Sequence, residues 1–252
     1  MNKLSLFSGI LGDDLASEWA GIETICCVEI DPFCQKVIKK HYPNMPIIGD
    51  IHDVTKAKVK EVSGYDQVDI ISGGDPCQPR SVAGQRRGEE DDRDLWKDMF
   101  RVIQEFKPTW VVNENPTGRL SMDIHKVLSN LESIGYETRS FVIPACAVNA
   151  YHRRERLFII AHSNGLRLQR GIGQLQENKN GILPKILSPQ QIFSDKNKLS
   201  QPYVIGSLKW IPNAAHRIKA LGNAVVPQQV YPIYKAIVEV EALANSKRVG
   251  IA

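Results

Sequence analysis

A cysteine framed by two prolines is the residue of this chain best placed to do covalent chemistry. Cys77 lies in GGDPCQPRS, directly after an apolar run that predicts a buried strand. Pro76 and Pro79 stiffen the turn and present the thiol outward at the carboxyl end of that strand, which is not the setting of a core thiol. We therefore interpret Cys77 as a nucleophile, with Pro76 and Gln78 as the site residues on either side of it.

The other cysteines have a different setting. Cys26, Cys27, Cys34 and Cys146 lie in apolar strand or helix contexts, so we expect inert thiols there. None of the five cysteines belongs to a CxxC pair, and the count is odd. The sequence therefore predicts neither a disulfide framework nor a metal site.

A carboxyl group and two guanidinium groups follow later in the chain. Glu114, in NENP, ends another predicted strand and comes close to the Cys77 loop if the two strands are neighbours. A carboxyl group there is suited to general acid catalysis. In the HRRER run, strand alternation puts Arg154 and Arg156 on one face. Such a run is either a solvated face or, beside Cys77 and Glu114, a site for a phosphate or a base.

The ends of the first three predicted strands favour a nucleoside cofactor. The glycine turn FSGILG, at 7–12, lets the backbone approach a ligand. Glu29 and Asp31 close the second strand roughly twenty residues later, where a carboxylate can bind ribose hydroxyls. Asp50 follows the third strand. The alternative is a structural glycine turn followed by ordinary solvated acids.

Alternating strands and helices position these residues. Apolar runs predict strands at 4–7, 24–31, 47–48, 68–72 and 109–114, with helices at 15–20, 32–41 and 91–106. The segments 136–143 and 156–162 predict an antiparallel pair at one edge, and 227–245 a helix that closes against the sheet after a Gly-Asn turn. This order predicts an α/β fold, with a mostly parallel sheet and helices on both faces.

A basic, amide-rich segment interrupts this pattern. Residues 163–212 contain seven Lys or Arg against two acidic residues, and they show no sustained apolar period. We expect a small irregular subdomain or a set of loops here. The sequence thus divides into a domain at 1–162, this segment, and a C-terminal part, 213–252, that returns to the first domain.

Composition excludes several classes of protein. The chain has 252 residues, is 42% hydrophobic and 24% charged, and carries a net charge of +4. These values fit one globular domain with a small appendage and exclude a disordered chain or a large multidomain assembly. We find neither an apolar stretch of the roughly 18–20 residues that a membrane span needs nor a secretory signal, so we expect a cytoplasmic protein with no membrane partner.

The motifs, taken together and in order, resemble those of the DNA (cytosine-5) methyltransferases. The matching segments are LFSGILG, CVEID, GDI, GGDPCQPRS, NENP, HRRERLFIIA and GNAVVPQQV, over about residues 3–162 and 213–240. The resemblance implies a Rossmann-like S-adenosylmethionine-dependent methyltransferase fold, with 1–162 as cofactor-binding and catalytic domain and 163–212 as a short target-recognition region. It also implies transfer of a methyl group from S-adenosyl-L-methionine to carbon 5 of a flipped cytosine in double-stranded DNA.

The resemblance implies a role for each site residue. Cys77 would attack carbon 6, Glu114 would stabilise the protonated ring nitrogen 3, Arg154 and Arg156 would hold the cytosine, and Asn115 would position the catalytic loop. The implied cofactor site consists of Phe7, Ser8, Gly9, Gly12, Glu29, Ile30, Asp50, Ile51, Asn223 and Ala224. The implied setting is restriction-modification or phage DNA protection, with a monomer on DNA and a cognate restriction endonuclease as a further partner.

Several positions depart from the family pattern. Leu11 stands where a glycine is usual and Asp13 where an apolar residue is common, so either side chain is predicted to crowd the methionine part of the cofactor. Asp75 and Arg80 replace apolar residues beside Cys77, with opposite expected effects on its pKa. Two rival hypotheses therefore stay open: a catalytically impaired homologue that binds DNA or cofactor as a regulator, and a transfer-RNA cytosine-5 methyltransferase.

Overall fold

One seven-stranded sheet organises the part of the chain that the structure describes. The computed structural model describes residues 1–76, 95–163 and 214–249. Within these ranges the strands lie in the order β3-β2-β1-β4-β5-β7-β6. Their bounds are β1 (Asn2–Leu6), β2 (Glu23–Val28), β3 (Ile47–Ile48), β4 (Ile70–Gly73), β5 (Trp110–Pro116), β6 (Glu137–Ile143) and β7 (Arg156–His162).

The helices connect these strands, and local signals in the sequence explain several of their ends. Asp31 caps the second helix by accepting a hydrogen bond from the backbone N–H of Phe33, with Pro32 in the first helical position. Thr55 caps the third helix and Gly64 ends it with a φ of 81°. The bounds are α1 (Gly12–Trp19), α2 (Pro32–His41), α3 (Lys56–Ser63), α4 (Trp96–Phe106), α5 (Arg119–Met122), α6 (Ile124–Ser133), α7 (Ala214–Asn223) and α8 (Pro227–Val249).

Strand direction changes only at one edge of the sheet. From β3 to β5 all neighbours are parallel, whereas β7 runs antiparallel to both β5 and β6. The predicted antiparallel pair is therefore confirmed, with β6 at the edge and β7 inside it. The register pairs Glu114 with Phe158 and Pro116 with Arg156, so the start of β7 lies beside the tip of β5.

Apolar cores on both faces of the sheet confirm the predicted layering. One core contains residues of α4 and α6, such as Val102 and Leu131. The other contains Ala16 of α1 together with the α8 residues Val230 and Tyr234, whose helical spacing predicted this packing. Helices thus cover both faces of a mostly parallel sheet, as expected.

Two predicted segments lie wholly or partly outside the described residues. Almost all of the basic segment 163–212 lies outside them, and so does the start of the helix predicted at 91–106. Of the helices that the structure describes, none combines the length and the apolar character needed to cross a membrane.

Candidate active site

A cleft opens where the strand order reverses, between β1 and β4. In open α/β sheets ligands bind at this point, outside the carboxyl ends of the strands. The predicted site residues that line it are Phe7, Ser8, Gly9, Gly12, Glu114, Asn223 and Ala224. The lining also includes residues that the sequence did not assign to the site, namely Ser5, Leu6, Asp13, Gly73, Gly74 and Val225. The structure thus brings the predicted acid and most of the predicted cofactor residues to one cleft.

The loop after β1 forms the floor of this cleft in an unusual backbone conformation. Phe7, Gly9 and Leu11 have φ values of 51°, 55° and 69°, in the left-handed region that residues other than glycine rarely adopt. The side chain of Leu11 packs against Cys27 and Ile38, away from the cleft. The expectation that Leu11 crowds the cofactor is therefore wrong, because the backbone turns this side chain into the core.

Gly12 is required by a close approach of the C-terminal turn. A Cβ atom on Gly12 would lie 2.3 Å from the carbonyl oxygen of Val225, between α7 and α8. The loop after β1 therefore contacts the turn that carries Asn223 and Ala224. This contact explains how two segments more than two hundred residues apart form one wall, and why a glycine stands here.

Glu29, at the end of β2, supports the loop after β1. Its Oε2 accepts a hydrogen bond from the backbone N–H of Gly9 at 2.7 Å, and its Oε1 accepts one from the N–H of Asp31 at 2.7 Å. Ser8 also joins this loop to β2, because its N–H donates to the carbonyl of Val28. Beside Glu29, the side chain of Ile30 is 71% exposed, an apolar surface next to a carboxylate.

Asp50 and Ile51 follow β3, two strands away from the cleft. The Asp50 carboxylate accepts hydrogen bonds from the backbone N–H of His52 at 2.9 Å and lies 2.6 Å from its Nδ1. These bonds lower the pKa of Asp50. Ile51 is buried, and its carbonyl accepts a hydrogen bond from Arg101 at 2.7 Å. Neither residue lines the cleft, although both follow a strand end on the same edge of the sheet.

Glu114 is the buried acid of the cleft. Its side chain is 12% exposed, and its Oε1 lies 2.8 Å from Nε of Arg156, at the start of β7. Burial raises the pKa of Glu114 to about 7, even though the charges of Arg156 and Arg154 lower it. At neutral pH this carboxyl group therefore exists in both protonation states, as a group that exchanges protons requires.

Arg154 joins β7 to the C-terminal turn rather than continuing the strand. Its φ is 27°, and β7 begins only at Arg156, so strand alternation does not govern this segment as predicted. Its Nη2 donates to the carbonyl oxygens of Gly222 and Ala224. Burial lowers the pKa of Arg154, and Arg156 lowers it further. The two arginines nevertheless both act on the charge of Glu114.

Asn115 lies on the other side of β5 from Glu114. It is 1% exposed, and its side-chain amide donates to Asp75 at 3.0 Å and to Asn113 at 3.1 Å. Pro76, which follows Asp75, is exposed and is the last described residue before the segment that carries Cys77. Cys77, Gln78 and Arg80 lie outside the described residues, and the role of Cys77 stays a prediction.

A buried charge cluster beside the cleft was not predicted. Lys3 of β1 is fully buried, with its Nζ 2.7 Å from Asp13 and 3.0 Å from Asp14. Asp13 also accepts hydrogen bonds from Ser72 and Tyr234 at 2.7 Å. The Asp13 carboxylate is thus held by three donors at the cleft wall, which accounts for a charge where an apolar residue is common. The available signal was a lysine directly before the apolar run that predicts the strand at 4–7.

Strand order, cleft position and the acid between two arginines define a Rossmann-like methyltransferase fold, as expected. A solved structure of Schizosaccharomyces pombe Dnmt2 methyltransferase shares this fold, with a TM-score of 0.55 and 20% identity over 69% of this chain and 53% of that chain. Residues 1–216 match the family model of the C-5 cytosine-specific DNA methylases. The chain belongs to this family, and the assignment made from its motifs is confirmed.

Curated relatives are Type II methyltransferases. The chain is 32% identical over 182 residues to M.AquIA of a Picosynechococcus species, covering 66% of this chain and 73% of the relative. It is 30% identical over 171 residues to M.HhaI of Haemophilus parahaemolyticus, covering 66% of this chain and 50% of the relative. A candidate DNA modification methyltransferase encoded within an Escherichia coli prophage has a TM-score of 0.57 at 25% identity, covering 66% of this chain and 48% of that chain. The chain therefore spans about half to three quarters of the length of these proteins.

Proposed function

We propose that this chain transfers a methyl group from S-adenosyl-L-methionine to carbon 5 of cytosine in double-stranded DNA, in restriction-modification or phage DNA protection. The observation that carries the proposal is Glu114, a buried acid with a raised pKa, paired with Arg156 in the cleft. Glu114 lies two residues before the end of β5, and the neighbouring strand β4 ends at Gly73, four residues before Cys77. The family's acid therefore stands near the carboxyl end of one strand, and its nucleophile follows the adjacent strand in the sequence.

Glu114 has the properties that ring protonation requires. A neutral carboxyl group can donate to ring nitrogen 3 of cytosine, and a pKa of about 7 keeps that form populated at neutral pH. Arg156, within 2.8 Å, then stabilises the carboxylate that remains after proton transfer. Protonation withdraws electrons from the ring and makes carbon 6 more electrophilic.

Cys77 supplies the covalent step. Its thiolate forms a bond to carbon 6 as the double bond between carbons 5 and 6 opens, and that electron pair makes carbon 5 nucleophilic. S-adenosylmethionine, when bound, supplies an electrophilic methyl group for carbon 5. A base then removes the proton from carbon 5, the double bond reforms, and the Cys77 thiolate leaves. Because the reacting atoms are stacked inside a duplex, the target base must first be extruded.

The described residues fit a nucleoside cofactor. Gly12 and Gly74 let backbone segments meet at the cleft, because a Cβ on Gly12 would lie 2.3 Å from the Val225 oxygen and one on Gly74 would lie 2.8 Å from the Glu114 oxygen. We propose that the cleft residues Phe7, Ser8, Gly9, Gly12, Asn223 and Ala224 hold S-adenosylmethionine. Glu29, Ile30, Asp50 and Ile51 follow the neighbouring strands β2 and β3 and would hold its nucleoside part. The exposed apolar side chain of Ile30 beside the Glu29 carboxylate suits a base and a ribose.

We assign target recognition to 163–212 from its sequence. Its seven basic residues could neutralise phosphates, and its six Gln and four Asn could read base edges. The proposal includes a cytoplasmic enzyme that acts on DNA as a monomer beside a cognate endonuclease.

The proposal is tested by transfer of tritiated methyl groups to mixed-sequence duplex DNA. We expect 5-methylcytosine in the product, no transfer by Cys77→Ser, and cofactor binding by that variant in calorimetry like that of the wild type. Cys146→Ser is the matched control, because Cys146 is exposed and free, and it should keep wild-type turnover. Wild-type turnover by Cys77→Ser would exclude Cys77 as the nucleophile. The proposed activity is overturned if methyl groups are transferred only to transfer RNA, which favours the second rival hypothesis. It is also overturned if the protein binds the cofactor but methylates neither duplex DNA nor transfer RNA, which favours the first.

A further inference from the structure

A buried ion pair joins the start of the Cys77 segment to α5, the short helix that follows β5. The side chains of Asp75 and Arg119 are each 1% exposed, and Nη1 of Arg119 lies 2.6 Å from Oδ1 of Asp75. The same oxygen accepts hydrogen bonds from the side-chain amides of Asn113 and Asn115, at 2.8 and 3.0 Å. Three donors thus converge on one carboxylate oxygen, two residues before Cys77.

The two asparagines stand on either side of Glu114 in the sequence of β5. Side chains alternate along a strand, so Asn113 and Asn115 share one side while Glu114 lines the cleft on the other. Asn113 also donates to the backbone carbonyl of Gly73, the last residue of β4. Asp75 therefore holds the residues immediately before and after the acid.

Arg119 also contacts the chain beyond the Cys77 segment. Residues 77–94 lie outside the described residues, and Trp96 is the second described residue after them. The guanidinium group of Arg119 lies 5.7 Å from the centre of the Trp96 ring, whose Nε1 donates to Asn130 at 3.0 Å. Arg119 donates further to both carboxylate oxygens of Asp123, at 3.0 and 3.1 Å. One side chain thus touches the chain on both sides of the segment that carries the nucleophile.

Stability alone gives a weak reason for this arrangement. Two buried charges lose their hydration, and apolar side chains in their place are often as stable. Among the described residues, Oδ2 of Asp75 is buried without a hydrogen-bond partner, so the network is not arranged to satisfy every polar atom. Its directional contacts instead fix one position of Asp75 relative to β5.

We propose that Asp75 and Arg119 are positioning residues that set the distance between Cys77 and Glu114, an inference that rests on the proposed function. Asp75 holds the first end of the nucleophile's segment against the strand of the acid, and Arg119 contacts Trp96 just after its second end. Neither residue lines the cleft, so their loss should lower the rate of the covalent step and leave ligand affinities close to wild type.

The test compares the double variant Asp75→Asn/Arg119→Met with Glu241→Gln. The double variant removes both charges together, so that neither stays buried without its counterion. Glu241 is a matched control because it is a buried carboxylate that accepts a hydrogen bond from Trp110 Nε1, at the opposite end of β5. The readouts are the rate constant of covalent adduct formation with 5-fluorocytosine DNA at saturating DNA and S-adenosylmethionine, the KM for DNA, and the cofactor Kd.

The double variant is expected to form the adduct about 100-fold more slowly, the loss typical of a misplacement of about 1 Å. Its KM and Kd should stay within about threefold of wild type, as should all three values for Glu241→Gln. If the double variant does not fold, Arg119→Lys, which keeps the charge but loses the fork to Asp123, should still slow the adduct by at least about tenfold. A wild-type rate in the folded variant, or an equal loss of cofactor affinity, overturns the inference alone. A wild-type protein that forms no adduct overturns the proposed function and this inference with it.

Discussion

Replacing Glu114 by glutamine should change the stability of the protein in a way that depends on pH. The Glu114 side chain is 12% exposed, and burial raises its pKa from 4.5 to about 7. Between these two values the folded protein keeps the proton while the unfolded chain has released it. The free energy of unfolding of the wild type therefore falls as the pH rises through this window. Because glutamine cannot ionise, the free energy of unfolding of Glu114→Gln does not fall in this way as the pH rises.

The magnitude follows from the shift. A rise in the pKa of Glu114 from 4.5 to about 7 corresponds to a total change of about 3 kcal/mol in the free energy of unfolding. Roughly 2 to 3 kcal/mol of this change falls between pH 5 and pH 8. The unfolding free energy of Glu114→Gln minus that of the wild type should therefore grow by this amount from pH 5 to pH 8. Any packing change caused by the substitution is the same at both pH values and cancels from this difference.

Urea unfolding of both proteins at pH 5, 6.5 and 8 measures this difference. Glu155→Gln is the control for the loss of a carboxylate at this edge of the sheet, because the Glu155 side chain is 37% exposed and lies 2.8 Å from Arg153, directly before β7. If the difference between Glu114→Gln and the wild type does not change with pH, the pKa of Glu114 is not raised in the folded protein. Glu114 would then not hold a proton at neutral pH, and another group would have to protonate the base.

Two further predictions concern the wall of the cleft. Gly12→Ala places a Cβ 2.3 Å from a backbone oxygen of the α7–α8 turn and should weaken cofactor binding in calorimetry at least about tenfold. The control Gly118→Ala, whose Cβ would meet nothing within 4 Å, should keep the wild-type affinity. Equal affinities of the two variants would show that the turn does not form the cofactor wall. Lys3→Met leaves Asp13 and Asp14 without their buried cation and should lower the free energy of unfolding by about 3 to 5 kcal/mol. A loss of less than about 1 kcal/mol would contradict the role given to this cation.

Much of the fold could be predicted because its signals are local. The bounds of α2 agree with the sequence since a capping aspartate and an N-terminal proline mark its start. The strands β3 and β4 are short apolar runs between polar segments, and α8 shows its buried face through its spacing. The insertion of β7 between β5 and β6 could not be predicted, because strand order depends on long-range pairing that no single segment encodes.

The sequence predicted the residue types that line the candidate site, but not the contacts that hold the neighbouring residues in place. Glu114 and the glycine loop stood out by residue type at strand ends, and both line the cleft. The partners of Asp75 could not be foreseen, because its strongest contact, Arg119, lies 44 residues away in the chain. Sequence alone showed only an acid near a cysteine and suggested that its charge acts on that thiol. The structure pairs this charge with an arginine at 2.6 Å, and its effect on Cys77, which lies outside the described residues, stays a prediction.

The structure explains three positions at which the sequence departs from the family pattern. Leu11 turns into the core, Asp13 is neutralised by a buried lysine, and Asp75 by a buried arginine. Each unusual charge among the described residues is therefore accompanied by its counterion. Compensated substitutions of this kind are compatible with an active enzyme, whereas uncompensated buried charges would have destabilised the fold.

The proposed reaction requires Cys77 to add covalently to a cytosine while Glu114 protonates the ring. The most direct measurement is to incubate the protein and S-adenosylmethionine with duplex DNA in which 5-fluorocytosine replaces cytosine, and to locate the trapped DNA by mass spectrometry of the digested adduct. The fluorine on carbon 5 cannot leave as a proton does, so the covalent species accumulates. We predict one modified peptide, containing Cys77, that forms with the wild type and Cys146→Ser and disappears in Cys77→Ser. An adduct at another residue, or methylated cytosine formed without any adduct, would contradict the account.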